Sequence, residues 1–285
     1  MNKKKILVLG ADGMLGRTIY LYLKKHNELK VSATSRKNKK LIFLEAKNPN
    51  SFKKILKEND YVINCIGINN VTRGNINESV YINSEFPKII DKLAKKLNFK
   101  FINVSSDAVF NPMMGKVTEN SKPSPKDLYG KTKLKGETKF INSITIRTSI
   151  IGFSPNKKRG FLEWIVNSNK DIKGYDNQLW SGCTNLQFAK FCEYLISDNN
   201  FENLRKRSNI FHFAPLGPIT KYEMSKKIIT IMKKEIKISR DKSKQQINRY
   251  LTSIYFDKKF YKSYTTDLSV SIKELVKFEN KYYEK

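Results

Sequence analysis

Cysteine, histidine and long apolar runs are all scarce in this chain, and each shortage closes off a class of protein. The three cysteines, Cys65, Cys183 and Cys192, form no C-x-x-C pair, are odd in number and stand far in sequence from His26 and His212. That pattern argues against a disulfide framework and a zinc site, so no metal is expected and a reducing, cytoplasmic setting is. No stretch approaches the ~18 consecutive apolar residues of a membrane-spanning helix. The start MNKKKILVLG imitates a secretion signal, but Asp12 and the glycines around it interrupt the apolar run early. Acidic residues are also few, 26 against 55 lysines and arginines, which leaves a net charge of +29. A nucleic-acid binder carries such a balance. Here, however, the lysines are spread over every expected helix, with no arginine-rich arm and no basic-aromatic alternation of the kind that stacks bases. The charge reads as solvated surface that also draws in anionic substrates, with no specific nucleic acid and no membrane as partner.

What is present is a globular composition, 39% hydrophobic over 285 residues, enough for a large core. Short apolar runs alternate with amphipathic stretches through the first half. KKILVLG, LKVSAT, LIFLE, YVINCIGI, KFINVS and SITIRTS read as strands. MLGRTIYLYLKKHN, the segment around Phe52, Ile55 and Leu56, the stretch Ser84 to Asn98 and the segment holding Tyr129 read as helices. This is the alternation of an α/β fold with a doubly wound parallel sheet covered on both faces. The second half is less regular, with helices at FLEWIVNS, TNLQFAKFCEYLIS, ITKYEMSKKIITIMKK and SIKELVKFE and a strand at NIFHFAP. The expected division is a dinucleotide-binding Rossmann domain over 1–150 and a smaller C-terminal substrate lobe over 151–285, interleaved with returns to the main sheet.

Directly after the first strand stands GADGMLG, with Gly10, Gly13 and Gly16. Glycines there allow a tight turn, a close backbone approach to a diphosphate and close packing of helix on strand, with the diphosphate at the helix N-terminus. About 20 residues further on, an NAD site offers a carboxylate to the adenosine ribose. This chain offers Thr34, Ser35, Arg36 and Lys37 instead, which suits a 2′-phosphate and favours NADPH while leaving NADH open. KFINVS ends in Ser105, Ser106 and Asp107, where open parallel sheets place ligands. A serine there either hydrogen-bonds a substrate carbonyl or simply caps a turn. In DLYGKTKLKGE, a helix sets Tyr129 and Lys133 one turn apart, so that an ammonium can lie beside a phenol and favour its ionised form. On a lysine-rich helix the bland reading is a solvated pair. The glycine turn, the strand-end serine and the Y-x-x-x-K helix together, in this order and these contexts, point instead to a dinucleotide enzyme.

The stretches VLGADGMLG, VINCIGI, VSSDAVF, LYGKTKLKGE, IRTSIIG and HFAPLGPITKYEM resemble the extended short-chain dehydrogenase/reductases, and within them the dTDP-4-dehydrorhamnose reductase branch of sugar-nucleotide reductases. The last fifty residues match poorly. The resemblance implies catalytic roles for Ser106, Tyr129 and Lys133. It implies cofactor contacts at Gly10, Asp12, Gly13, Met14 and Leu15, at Arg36, at Cys65, Ile66 and Gly67, and again at Tyr129 and Lys133. Substrate contacts are expected at Ser106, Asp107, Gln178 and Trp180, although a core role for the tryptophan is equally in keeping with its surroundings. Arg147 either meets a diphosphate or braces its strand end. The implied reaction is hydride transfer to C4 of a nucleotide-linked 4-dehydro-6-deoxy sugar for surface-polysaccharide synthesis, with Tyr129 giving the proton and a homodimer left open. Two positions depart from the family pattern, Ala108 in place of tyrosine and Ile150 in place of tryptophan. Ala108 also removes half of the Asp-Glu pair a 4,6-dehydratase needs. A 4-epimerase and a non-catalytic regulatory subunit remain as competing readings.

Overall fold

The computed structural model describes residues 3–155 and 160–283. In chain order its first half holds β1 (Lys4–Leu9), α1 (Met14–Leu23), β2 (Leu29–Ser35), β3 (Ile42–Phe43), α2 (Pro49–Lys57), β4 (Tyr61–Asn64), α3 (Ile76–Val80), α4 (Phe86–Leu97), β5 (Lys100–Val104), β6 (Lys116–Val117), α5 (Leu128–Lys135) and β7 (Ser143–Arg147). There follow β8 (Ile150–Ile151), α6 (Phe161–Asn167), β9 (Ile172–Tyr175), β10 (Leu179–Thr184), α7 (Asn185–Ile196), α8 (Asn200–Arg207) and β11 (Ile210–His212). The last elements are β12 (Leu216–Thr220), α9 (Lys221–Ile231), β13 (Ile238–Asp241), β14 (Tyr250–Leu251), α10 (Lys258–Lys262) and α11 (Leu268–Tyr283).

Seven strands form one sheet in the order β11-β7-β5-β4-β1-β2-β3, every pair parallel. The chain winds outward one way from β1 to β3 and the other way from β4 to β11, so the order reverses between β1 and β4. Such a reversal opens a crevice beyond the carboxyl ends of the strands. Side chains alternate across the sheet. Ile6, Val8, Ile63, Ile102 and Ile146 pack on one face with Phe188, Phe191 and Leu195 of α7. Leu7, Leu9, Val62 and Phe101 pack on the other with Phe52, Leu56, Phe86 and Ile90. Both faces are therefore dry, which is why these strands read as unbroken apolar runs.

Segments beyond residue 150 complete this layer, because β11 extends the sheet and α7 covers α1. The remaining second-half elements build a smaller lobe around Leu162, Ile165, Trp180, Met224, Ile228, Ile272 and Leu275. It contains the three-stranded sheet β12-β10-β8 and the pair β13-β9. A parallel pair of two-residue strands, β14 and β6, ties the C-terminal part to the loop after β5. Two sequence expectations change. LIFLE contributes only Ile42 and Phe43 as strand, since this is the sheet's outer edge and Phe43 is 64% exposed. The helix expected from Ser84 begins at Ile76 and passes through a wide turn at Tyr81–Glu85. Its early turns carry little apolar periodicity, and polar groups anchor the wide turn: Ser84 Oγ donates to Thr132 O at 2.8 Å and Asn83 Nδ2 to Thr132 Oγ1 at 3.1 Å. Among the described residues no helix is long and apolar enough to cross a membrane, and no acidic, cysteine or histidine cluster is placed to hold a metal ion.

Candidate active site

The crevice at the strand-order reversal is a cleft of about 1190 Å³, larger than the ~300–1,000 Å³ of a typical small-ligand pocket. Its wall on the β1 side is the glycine turn. Gly10 has φ +86°, a left-handed conformation in which a side chain would also strike Ile66. A Cβ on Gly16 would stand 2.3 Å from the Gly10 carbonyl oxygen, so glycine is required for α1 to lie against the turn. Gly13 meets nothing closer than 3.6 Å and lies on the cleft lining with Asp12, Met14 and Leu15. It caps α1 without a side-chain hydrogen bond, so the positive end of the helix is offered to the cleft.

The loop after β2 is organised by Asp12. Its carboxylate accepts from Ser35 Oγ at 2.5 Å and from the Arg36 N–H at 2.8 Å, while Ser35 Oγ accepts the N–H groups of Lys37 and Asn38. Arg36 is exposed and absent from the lining; the basic residue of this loop that lines the cleft is Lys37. Sequence distance from the glycine turn could not separate two adjacent cations. Beyond β4, Cys65, Ile66 and Gly67 form the facing wall. Burial pushes the Cys65 thiol up to about 12, with Lys133 pulling the other way.

Ser105, Ser106 and Asp107 follow β5 into the cleft. Ser106 Oγ accepts the Ala108 N–H at 3.1 Å, so the serine does cap a short turn. α5 brings the phenol of Tyr129 into the same part of the cleft, close enough for the Ser106 hydroxyl to favour the phenolate. That approach depends on Gly130, where a Cβ would lie 2.1 Å from the Ala108 carbonyl oxygen. Asp127 caps α5 by accepting the Gly130 N–H at 2.6 Å. Burial pushes the Tyr129 phenol up to about 12; the Ser106 hydroxyl opposes this and the charges of Asp107 and Asp127 add to it. Lys133 is buried, its ammonium donating to the Val104 carbonyl at 2.6 Å, and burial brings it down to about 8 against the pull of Glu137. The phenol is thus governed by burial, Ser106 and two carboxylates, and the lysine reaches the strand end beneath. One helical turn in sequence did not set the cation against the oxygen.

Two charged groups complete the site. Arg147 makes two bonds of 2.7 Å to Glu137, and Glu137 Oε1 also accepts from Ser105 Oγ at 2.9 Å, all buried. Arg147 therefore braces its strand end. Arg249, from the loop before β14, lines the cleft and donates from Nε to Asp107 Oδ2 at 3.0 Å. No local motif marks Arg249, which stands between the polar stretch DKSKQQIN and YLTSIYF. Ala108 and Ile150 both line the cleft. Gln178 and Trp180 do not: Gln178 Nε2 bonds the Gln245 carbonyl at 2.9 Å, and Trp180 donates to Ser149 Oγ at 2.9 Å from behind the lining.

With this geometry in view, the family model described as RmlD substrate binding domain matches residues 4–266. The chain belongs to this family. Its fold is shared with a dTDP-4-dehydrorhamnose reductase from Clostridium acetobutylicum, at TM-score 0.80 and 22% identity over 97% of this chain and 99% of that one. It is shared also with a dTDP-4-dehydrorhamnose reductase from Bacillus anthracis in complex with NADP, at TM-score 0.77 and 16% identity over 96% and 99%. Among curated proteins, methionine adenosyltransferase 2 subunit beta of Xenopus tropicalis is 28% identical over 151 residues, 49% of this chain and 43% of that one. The chain spans about half the length of the curated relatives it matches. Family membership thus extends across the glycine turn, the Ser106 loop, α5 and the loop bearing Arg249.

Proposed function

We propose that this RmlD-family protein is an NADPH-dependent reductase acting on the C4 keto group of a nucleotide-linked 4-dehydro-6-deoxy sugar. The observation that carries the reading is that Ser106, Tyr129 and Lys133 line the same cleft that the glycine turn borders. The residues fit a dinucleotide, since Gly13 puts no side chain on the lining at the positive end of α1 and Lys37 supplies a cation on the loop after β2. When bound, the reduced nicotinamide supplies the hydride. Tyr129 holds its proton at neutral pH and gives it to the nascent alkoxide, which is the stronger base; Ser106 donates a hydrogen bond to the same oxygen and fixes its direction. Lys133, tied to the Val104 carbonyl, holds the nicotinamide ribose and keeps a positive charge near the developing anion below about pH 8. Ala108 and Ile150 leave the sugar end of the cleft without the aromatic walls seen in the family pattern, which favours a sugar other than the rhamnose precursor.

Absorbance of the reduced nicotinamide, followed with dTDP-, UDP- and GDP-linked 4-keto-6-deoxy sugars, tests the proposal. Consumption of NADPH with at least one of them is expected, and Tyr129→Phe should lower kcat by about 10²- to 10⁴-fold while leaving cofactor affinity within a few-fold. Interconversion of sugars with no net consumption would mark a 4-epimerase. No consumption with any of them would end the reductase reading, and the similarity to a methionine adenosyltransferase subunit makes a regulatory role the second one.

A further inference from the structure

The C-terminal part of the chain reaches the reacting centre through one side chain. Arg249 is 142 positions from Asp107, yet its Nε donates to Asp107 Oδ2 at 3.0 Å and its Nη1 to the Phe110 carbonyl at 3.4 Å. Its backbone is fixed on both sides. The N–H of Arg249 bonds the Pro112 carbonyl at 2.9 Å, and that of Tyr250 the Gly115 carbonyl at 2.9 Å. The N–H of Leu251 bonds Ser181 Oγ at 2.7 Å, and β14 pairs with β6. The guanidinium is 10% exposed and the Asp107 carboxylate 23%, so neither is freely solvated. The other Asp107 oxygen, Oδ1, accepts from Ser106 Oγ at 3.3 Å, and Ser106 shares the cleft lining with Tyr129. Four side chains from three segments therefore form a single line: Arg249, Asp107, Ser106, Tyr129.

We propose that Arg249 is a positioning residue for proton transfer, holding Asp107 so that the Ser106 hydroxyl keeps its direction and offsetting the Asp107 charge that faces the Tyr129 phenol. The inference rests on the reading of Tyr129 as the proton donor. The charged groups around the phenol are Asp107 on the loop after β5 and Asp127 at the start of α5. Lys133 lies one turn along α5, and Lys221, at the start of α9, feels both Asp107 and Arg249. Removing the Arg249 charge leaves Asp107 opposed only by Lys221, so the phenolate is less favoured and Tyr129 keeps its proton to higher pH. Removing the Asp107 charge acts in the opposite direction. With Asp107 neutral, Arg249 still acts on the phenol through its own charge but no longer through the carboxylate it holds, so replacing it should matter less.

Fluorine NMR of the full chain carrying fluorotyrosine, whose phenol is more acidic, reads this directly once the Tyr129 resonance is identified by its loss in Tyr129→Phe. Arg249→Gln should raise the Tyr129 midpoint by roughly 0.5 to 1 pH unit, the scale of one charge pair at a partly buried site. Asp107→Asn should lower it, the shift caused by Arg249→Gln should be smaller on the Asp107→Asn background than on wild type, and Arg249→Lys should stay near wild type. An unmoved midpoint in Arg249→Gln, or a shift of undiminished size on the Asp107→Asn background, overturns the proposal. Should Arg249→Gln not fold, Asp107→Asn decides: a midpoint that fails to fall overturns it. These midpoints need no turnover. An inactive protein with the expected shifts would refute the reductase reading alone, and an active reductase with unmoved midpoints would refute this inference alone.

Discussion

Lys133 shows how one buried residue ties stability to chemistry. Burial brings its ammonium from the ordinary 10.5 down to about 8, so between those values the unfolded chain holds more protons than the folded one. Stability from this group therefore rises with pH across that window, and its cost is full below it. A depression of this size corresponds to ~3 kcal/mol, less ~1 for the hydrogen bond to the Val104 carbonyl that methionine would lose. Lys133→Met should accordingly stabilise the fold by about 1–3 kcal/mol near neutral pH and abolish turnover, with the gain fading toward about pH 10. Urea unfolding at both pH values checks it, and a destabilised variant near neutrality contradicts the burial argument. At this scale the sequence named the serine, the tyrosine and the lysine correctly as neighbours in one cleft. It could not say that the lysine binds a carbonyl instead of the phenol, because side-chain direction depends on what the helix packs against.

At the scale of elements, α5 is the part whose placement the site depends on. It is only eight residues long, too short to be stable alone, and it is held by tertiary contacts. Gly130 lets it lie against the Ser106 loop, and Gly136 lets its end meet Asn83, where a Cβ would come within 2.0 Å of the backbone oxygen. Gly130→Ala should push the helix off the loop, costing ~1–3 kcal/mol and lowering kcat/KM by roughly 100-fold. Gly74→Ala, where a Cβ meets nothing within 4 Å, should be near neutral in both. Thermal unfolding and steady-state kinetics on the pair compare them, and equal kinetics would show that the helix tolerates displacement. The glycine turn was legible from sequence because its three glycines act within one short segment. The need for Gly130 was hidden, since the atom it avoids belongs to Ala108 on another segment.

At the scale of the whole molecule, the net charge of +29 belongs to the surface, and the site uses a few of its cations. Lys37 and Arg249 line the cleft, with Lys221 near Arg249, and an anionic nucleotide approaching it is drawn by the total field as well. Raising ionic strength from about 0.01 M to about 0.1 M shortens the screening length from ~30 to ~10 Å. KM for the nucleotide sugar should then rise several-fold with kcat nearly unchanged; a KM indifferent to salt would mean that only contact pairs matter.

The sequence by itself determined the parallel sheet, its glycine turn and the order in which serine and tyrosine arrive, because each is written in periodicity or in residues adjacent along the chain. Only the tertiary structure decided which cation lines the cleft, that Arg147 pairs with Glu137, and that Arg249 closes on Asp107 from 142 positions away. Those pairings are set by how separate segments pack, and that packing is a property of the folded core as a whole, with no trace in any one stretch of residues.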